Sequence, residues 1–352
     1  MRGRLLALLM MIVLTTTGCG RLPAEERSFA VALGISTSAD VWEVTARIPS
    51  YQQEGGYVTL AARGASLGEA MALLNAAAPM RLHYGQLRMI VFSRELAESP
   101  DFPGVLHALA ARPDVRLQAS LCVTEDNMTD LMDSLEPQTG TRLSKSIETL
   151  LETRLNLGVV PDATLSNLRR MGERQGSVLI CVALDQEPAN TVPGMDAPAG
   201  VQAARGAGET QFAGGWMIGK DGMVRGQLTA LDQQLLALME GDLRKGMLAL
   251  PEGAVMLLDA SSRIKFQQGQ GVCEVRIRYG ATDLPQDQIE RSLSEAISGV
   301  TDKLAAAGCD ALGIGRRVIT SCATLDEWHN LRWKERYPAL QWDITVEAVP
   351  AV

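Results

Sequence analysis

From residue 29 to residue 184, short apolar runs suited to strands alternate with segments of helical period. A chain patterned this way is restricted to layered folds in which helices cover a sheet. Residues 29–35 and 41–48 read as the first two strands, the second alternating Val41, Glu43 and Thr45 with Trp42, Val44 and Ala46. Ser66 and Glu69 form an S-x-x-E box ahead of Ala70, Leu73 and Leu74. It marks a helix start, because each side chain can satisfy a backbone N–H that the first turn leaves without a partner. Residues 87–92 form a continuous apolar strand, expected to be buried on both faces. A helix over 103–111, a strand over 117–123 and helices over 127–135 and 143–155 follow. Behind an Asp162 cap comes a helix over 163–174, then Gly176 and a strand over 177–184. The fold class expected is α/β (mixed α+β), multi-domain, with mixed sheets and packed helices.

Residues 187–210 break the pattern. Within 187–208 there are three Pro, four Gly and six Ala and no apolar period, which suits a linker, with a long ordered surface loop as the other reading. Beyond it, 215–218 and 223–228 flank Gly219, Lys220, Asp221 and Gly222, so Asp221-Gly222 reads as a hairpin turn. A helix over 231–243 and strands over 247–250, 255–258 and 272–279 come next. The strongest helical signal is 286–307, where Ile289, Leu293, Ile297, Val300 and Leu304 recur at intervals of 4, 4, 3 and 4 before Gly308. A final strand covers 342–349. The organisation expected is an N-terminal α/β domain over 29–186, the linker over 187–210 and a C-terminal α/β region over 211–352. That region reads either as one domain or as two subdomains of about 211–262 and 263–352.

Ahead of all this, Arg2 and Arg4 precede an unbroken apolar run over 5–14, then Thr15, Thr16, Thr17, Gly18 and Cys19. Basic, apolar, small, then cysteine is the order of a secretory signal cut before a lipidated cysteine. Ten apolar residues fall well short of the ~20 needed to span a bilayer as a helix. Thr16 stands where lipoprotein signals usually carry Leu, Val or Ile. An ordinary cleaved signal leaving a free Cys19 is the competing reading, disfavoured because residues 20–27 form a polar tether. Residues 1–18 are therefore expected to be removed, leaving a lipidated tether over 19–28. A diacylglyceryl cysteine carries at least two chains, and each buried methylene contributes roughly 0.8 kcal/mol, so such an anchor should hold.

The formal charge of −8 becomes −10 when Arg2 and Arg4 leave with the signal, which opposes nucleic acid as a partner. Apart from Cys19, the cysteines are Cys122, Cys181, Cys273, Cys309 and Cys322. They are odd in number and lack a C-x-x-C pair, so neither a disulfide framework nor a zinc site is expected. Cys122 and Cys181 lie in apolar runs and should behave as small buried hydrophobes. His83, His107 and His329 are the three histidines, and none stands at ligand spacing from another. There is no G-x-S-x-G elbow and no phosphate loop. Gly313-x-Gly315 is followed by Arg316 and Arg317 and reads as a turn, not a dinucleotide fingerprint. The pairs Asp130 with Asp133 and Asp283 with Asp287 are what solvated helix faces supply by chance. No catalytic, metal-binding or cofactor-binding residue is expected, and the chain reads as a non-enzyme.

Several separated strings read together resemble the Ger(x)C family, the lipoprotein C subunits of GerA-type spore germinant receptors. Behind the cysteine come Glu26, Arg27 and the run 29–35, which ends in Gly34-Ile35, although Gly20 stands where the family usually has Trp. The middle strings are 83–97, starting at His83 and reaching Glu95-Leu96, and Arg112-Pro113-Asp114 with the strand after it. Gly214-Gly215-Trp216 and Gly226-Gln227-Leu228 resemble the family's hairpin. Asp310-Ala311-Leu312-Gly313-Ile314-Gly315, Trp328, Trp333 and Tyr337-Pro338 resemble its C-terminal part. The resemblance implies a non-enzymatic scaffold without cofactors on the outer face of the spore inner membrane. It would support nutrient-triggered germination beside two integral membrane subunits, of A and B type. On the residues alone, His83 caps the start of a buried strand, and Trp328 and Trp333 pack under the 286–307 helix in preference to forming an interface. The alternatives are a solute-binding lipoprotein feeding a transporter, which needs an aromatic-lined cleft, and an envelope hydrolase.

Overall fold

The protein is represented by a computed structural model that describes residues 27–39, 41–50, 56–137, 142–170, 176–184, 210–267 and 269–351. In chain order the first part comprises β1 (Arg27–Phe29), β2 (Ala32–Ser38), β3 (Val41–Pro49), β4 (Tyr57–Gly64), α1 (Leu67–Ala77), β5 (Arg81–His83) and β6 (Met89–Ser93). Then come α2 (Arg94–Ala97), α3 (Phe102–Ala111), β7 (Ser120–Thr124), α4 (Met128–Ser134), α5 (Leu143–Asn156), α6 (Leu165–Arg170) and β8 (Ser177–Leu184). After the 187–210 segment stand β9 (Thr210–Ile218), β10 (Val224–Leu228), α7 (Ala230–Glu240), β11 (Gly246–Leu250), β12 (Gly253–Gln267) and β13 (Gln270–Tyr279). The chain closes with α8 (Gln286–Ala307), α9 (Ile314–Ile319), α10 (Leu325–Leu331), α11 (Trp333–Arg336) and β14 (Trp342–Pro350). This is the mixed α/β, mixed-sheet fold expected from the pattern.

Among the described residues, eight strands form one sheet in the order β10-β9-β8-β7-β6-β2-β3-β4. Its centre, β2, β6, β7 and β8, is parallel, and both flanks are antiparallel hairpins. Met89 to Phe92 of β6 are fully buried, as a continuous apolar run between helical layers should be. A second sheet, β11-β12-β13-β14, is antiparallel except that β14 returns parallel to β13 through α8.

Several local expectations shift for identifiable reasons. The run at 29–35 splits into β1 and β2, because Ala30 N–H donates to the His83 carbonyl and Val31 N–H to that of Arg47. In the Ser66 box, the Glu69 carboxylate accepts from Ala65 N–H (2.8 Å), not from Ser66. Strand β7 starts only at Ser120, since Leu117 and Ala119 accept from Ser166 and Leu165. Thr164, not Asp162, caps α6, its hydroxyl accepting from Asn167 N–H at 3.2 Å. Helix α7 stops at Gly241, whose φ of 84° gives the left-handed turn that ends it. Strand β12 runs far beyond 255–258 because β13 pairs with it from Leu257 to Gln267, with exposed Arg263 and half-buried Lys265 on either side of buried Ile264.

The largest correction concerns organisation. Strand β9 pairs with β8 across the 187–210 segment, so the hairpin expected to begin a separate C-terminal region completes the large sheet. The division at 262/263 falls inside β12. Two apolar cores do exist, but strands are shared between them: Leu179 and Trp216 face the first, while their neighbours Val178 and Met217 face the second. Between the sheets lies α7, buried from residue 232 to 239 on every side. Thr229 and Asp232 form its capping box, and Asp232 also pairs with Lys303 of α8 at 2.6 Å.

Candidate functional site

Of the C-terminal residues that carry the family resemblance, Asp310, Gly315, Trp333 and Tyr337 meet at one buried point. Asp310 follows the left-handed Gly308 that ends α8 and is 3% exposed. Its carboxylate accepts from Ile314 N–H (2.7 Å), Gly315 N–H (2.6 Å) and Trp333 Nε1–H (3.0 Å). Gly313, at φ 64°, turns the chain so that the first N–H groups of α9 face the carboxylate. At Gly315 a Cβ would stand 2.5 Å from Trp333 Nε1, so only glycine fits beside the indole. The Trp333 ring meets Phe266 of β12 edge-on at 5.6 Å and Tyr337 at 5.9 Å. Burial pushes the Asp310 carboxyl above the usual carboxylate range, against the pull of its three donors and Arg317. Burial likewise raises the Tyr337 phenol well above its ordinary value, and its hydroxyl has no hydrogen-bond partner among the described residues. With every donor internal, this arrangement clamps α9 and α11 onto the second sheet and leaves no acid facing a solute.

Trp328, on α10, is only half covered by the second core, and Leu325 one turn before it is 67% exposed. His83 is not brought to these residues. It sits in β5 paired with Phe29, which its ring meets edge-on at 5.5 Å, and its Nδ1 accepts from Gly85 N–H at 3.1 Å. The imidazole thereby closes the turn ahead of β6. Next to it, Arg112 holds Asp114 in a two-pronged pair and lies over the Tyr84 ring at 5.4 Å. Cys19 lies outside the described residues.

Cys122, Cys273 and Cys309 are buried free thiols; burial raises Cys309 to about 12 and Cys273 to about 11. Cys181 departs from the buried-hydrophobe expectation: it is half-buried and accepts from Gln227 Nε2 at 3.2 Å. Asp133, read as an ordinary helix-face acid, pairs with a residue the pattern did not single out. Arg47, 4% exposed in the middle of β3, bonds Thr59 (3.0 Å), Asp133 (3.1 Å), Glu136 (2.6 Å) and the carbonyls of Asp133 and Leu135. The one available signal was an arginine inside a strand segment whose neighbours on both sides are apolar. Among the described residues, no group of three or more His, Cys, Asp or Glu could hold a metal ion. Nor is any helix there long and apolar enough to cross a membrane.

Comparison with known proteins adds to this picture. Residues 20–183 match the family model for the spore germination protein N-terminal domain. No curated protein matches the sequence. Among solved structures, a crystal structure of the GerBC protein is similar over 91% of this chain and 97% of its own, with a TM-score of 0.53. The two sequences are 12% identical, so that likeness is one of fold.

Proposed function

We propose that this chain, a member of the Ger(x)C family of spore germination proteins, is the C subunit of a germinant receptor. In this reading it is a lipoprotein held through Cys19 on the outer face of the spore inner membrane. There it supports nutrient-triggered germination beside two integral membrane subunits and catalyses nothing itself. The observation that carries the reading is positional: the family match begins at Gly20, immediately behind the cysteine that ends the signal-like leader. The internal use of the Asp310 carboxylate and the Trp333 indole favours a scaffold over an enzyme, since these buried groups are spent on each other and on the first turn of α9.

The test is a Cys19→Ala substitution in spores, with palmitate labelling and fractionation. The wild-type protein should incorporate label and sediment with membranes, and the variant should do neither and should slow nutrient-triggered germination. A variant that stays membrane-bound and fully active sinks the proposal. Two adjacent reading frames coding for multi-span membrane proteins are the expected gene neighbourhood.

A further inference from the structure

We propose that the end of the large sheet nearest Cys19 in the chain is a docking face for an anionic phospholipid surface, so that the subunit lies against its membrane as well as being anchored to it. The inference rests on the lipoprotein reading and adds to it which face of the protein meets the bilayer. Strands β2, β6 and β7 run parallel, so residues 27–31, 84–88 and 112–119, which lead into them, gather at one end of the sheet. Strand β3 runs the other way and finishes there, beside the start of β4. The hydroxyl of Tyr57, which opens β4, accepts from Leu143 N–H at 3.1 Å and so brings the start of α5 to the same end. Arg27 is the eighth residue after Cys19, a reach of at most about 28 Å of extended chain, so a lipid on that cysteine keeps this end close to the bilayer.

Charge is complementary to such a surface, although the chain as a whole is acidic. Arg27 and Arg81 stand in direct register on β1 and β5, and like charges facing each other across a strand pair are unfavourable unless anions lie nearby. Arg142 precedes α5, and Arg116 leads into β7. The exposed guanidiniums of Arg81 and Arg142 make no ion pair or hydrogen bond among the described residues. Of the acids at this end, Asp114 is held by Arg112 (2.8 Å) and Glu148 by Arg88 (2.9 Å), while Asp133 and Glu136 share Arg47. Glu152 and Asp162 are left at the rim. The opposite end has the reverse sign, with Glu43, Glu95, Glu125 and Asp126 set against Arg63 and Arg94. A domain polarised in this way turns its arginines to an anionic bilayer and its acidic end away. The arginines are spread from β5 to the start of α5, which suits a continuous layer of headgroups better than one bound anion. Apolar side chains are offered beside them: Leu155, 41% exposed, lines a depression with Arg88 and Arg116, and Leu157, 44% exposed, follows the end of α5. Leucines next to arginines are what an interfacial helix buries among headgroups.

The full mature chain carrying Cys19→Ala separates docking from anchoring, because it takes no lipid. It is floated with vesicles of equal parts phosphatidylglycerol and phosphatidylcholine, and with vesicles of phosphatidylcholine alone. At about 20 mM salt it should bind the anionic vesicles only, and at about 0.5 M salt, where screening acts within a few ångströms, it should be released. Arg81→Gln/Arg142→Gln, shown folded by circular dichroism, should bind about 25-fold more weakly, since each basic residue at an anionic surface contributes about fivefold. Arg263→Gln/Arg278→Gln, on exposed positions of β12 and β13, should bind as the parent does. The proposal is overturned if the chain does not float with anionic vesicles, floats equally with both kinds, or loses nothing in Arg81→Gln/Arg142→Gln. Equal loss in the two double variants overturns it as well. Absence of flotation while wild-type Cys19 takes up palmitate removes the docking face and leaves the anchor; absence of palmitate removes the anchor itself.

Discussion

Replacing Asp310 with alanine would leave two backbone N–H groups and the Trp333 indole N–H buried without an acceptor. Each such orphan costs about 1–3 kcal/mol, so Asp310→Ala is expected to lower stability by several kcal/mol in urea unfolding. Asp310→Asn keeps one acceptor oxygen and should lose less. The carboxyl also makes stability depend on pH. Its folded-state pKa is raised, chiefly by burial, so as pH climbs from about 4 the unfolded chain ionises first and the folded chain holds its proton longer. The folded form then binds more protons than the unfolded one, and stability falls with rising pH across that window. The gap in urea midpoint between wild type and Asp310→Asn should therefore narrow as pH rises; a gap independent of pH counts against the assignment. None of this was legible from the sequence, where Asp310 is one acid in a weak string. Its role depends on Trp333, 23 residues away, arriving beside it.

Helix α8 is the element the sequence described best, with both ends and all five apolar positions as read. Ile289, Leu293, Ile297, Val300 and Leu304 are fully buried, each contributing roughly 1.5–3 kcal/mol by its removal from water. Leu293→Ala should cost about 2–5 kcal/mol. Gly299, on the same helix, has open space where a Cβ would go, so Gly299→Ala is expected to raise the melting temperature, gaining about 0.5–1 kcal/mol of helix propensity. A lower melting temperature for that variant would place an unseen contact there. Periodicity was enough for α8 because one face is buried and the other solvated. It said little about α7, whose central residues are buried all round, or about β12, where outward Arg263 and Lys265 hid a long strand.

Across the whole molecule, two cores share β8 and β9, and the end of α8 rests on the edge those strands form. A Cβ on Gly176 would stand 2.2 Å from Asp310 N, and one on Gly219 2.7 Å from the Ala307 carbonyl. The Cys309 thiol donates to the Ser177 carbonyl at the same contact. Gly176→Ala is expected to cost about 1–3 kcal/mol by overpacking. Shared strands also couple the cores, so tryptophan fluorescence from Trp216 in the first and from Trp333 in the second should report coincident unfolding. Single-tryptophan variants whose transitions separate would show independent domains. A boundary at 187–210 follows from composition alone, because proline, glycine and alanine without period resemble a spacer. The edge of β8 nevertheless needs hydrogen-bond partners, and β9 supplies them.

By itself the sequence determined the mixed α/β class, the order of most strands and helices, and the αL glycine that ends α8. These follow from local periodicity and turn chemistry, which act over a few residues. Only the tertiary structure decided that the hairpin after residue 210 joins the large sheet, and that Asp310, Gly315 and Trp333 form one clamp. It alone set Arg27 beside Arg81 and brought Arg142 to the same end of the large sheet. Strand pairing and buried polar contacts join residues far apart in the chain, and no local pattern records which distant partner will satisfy them.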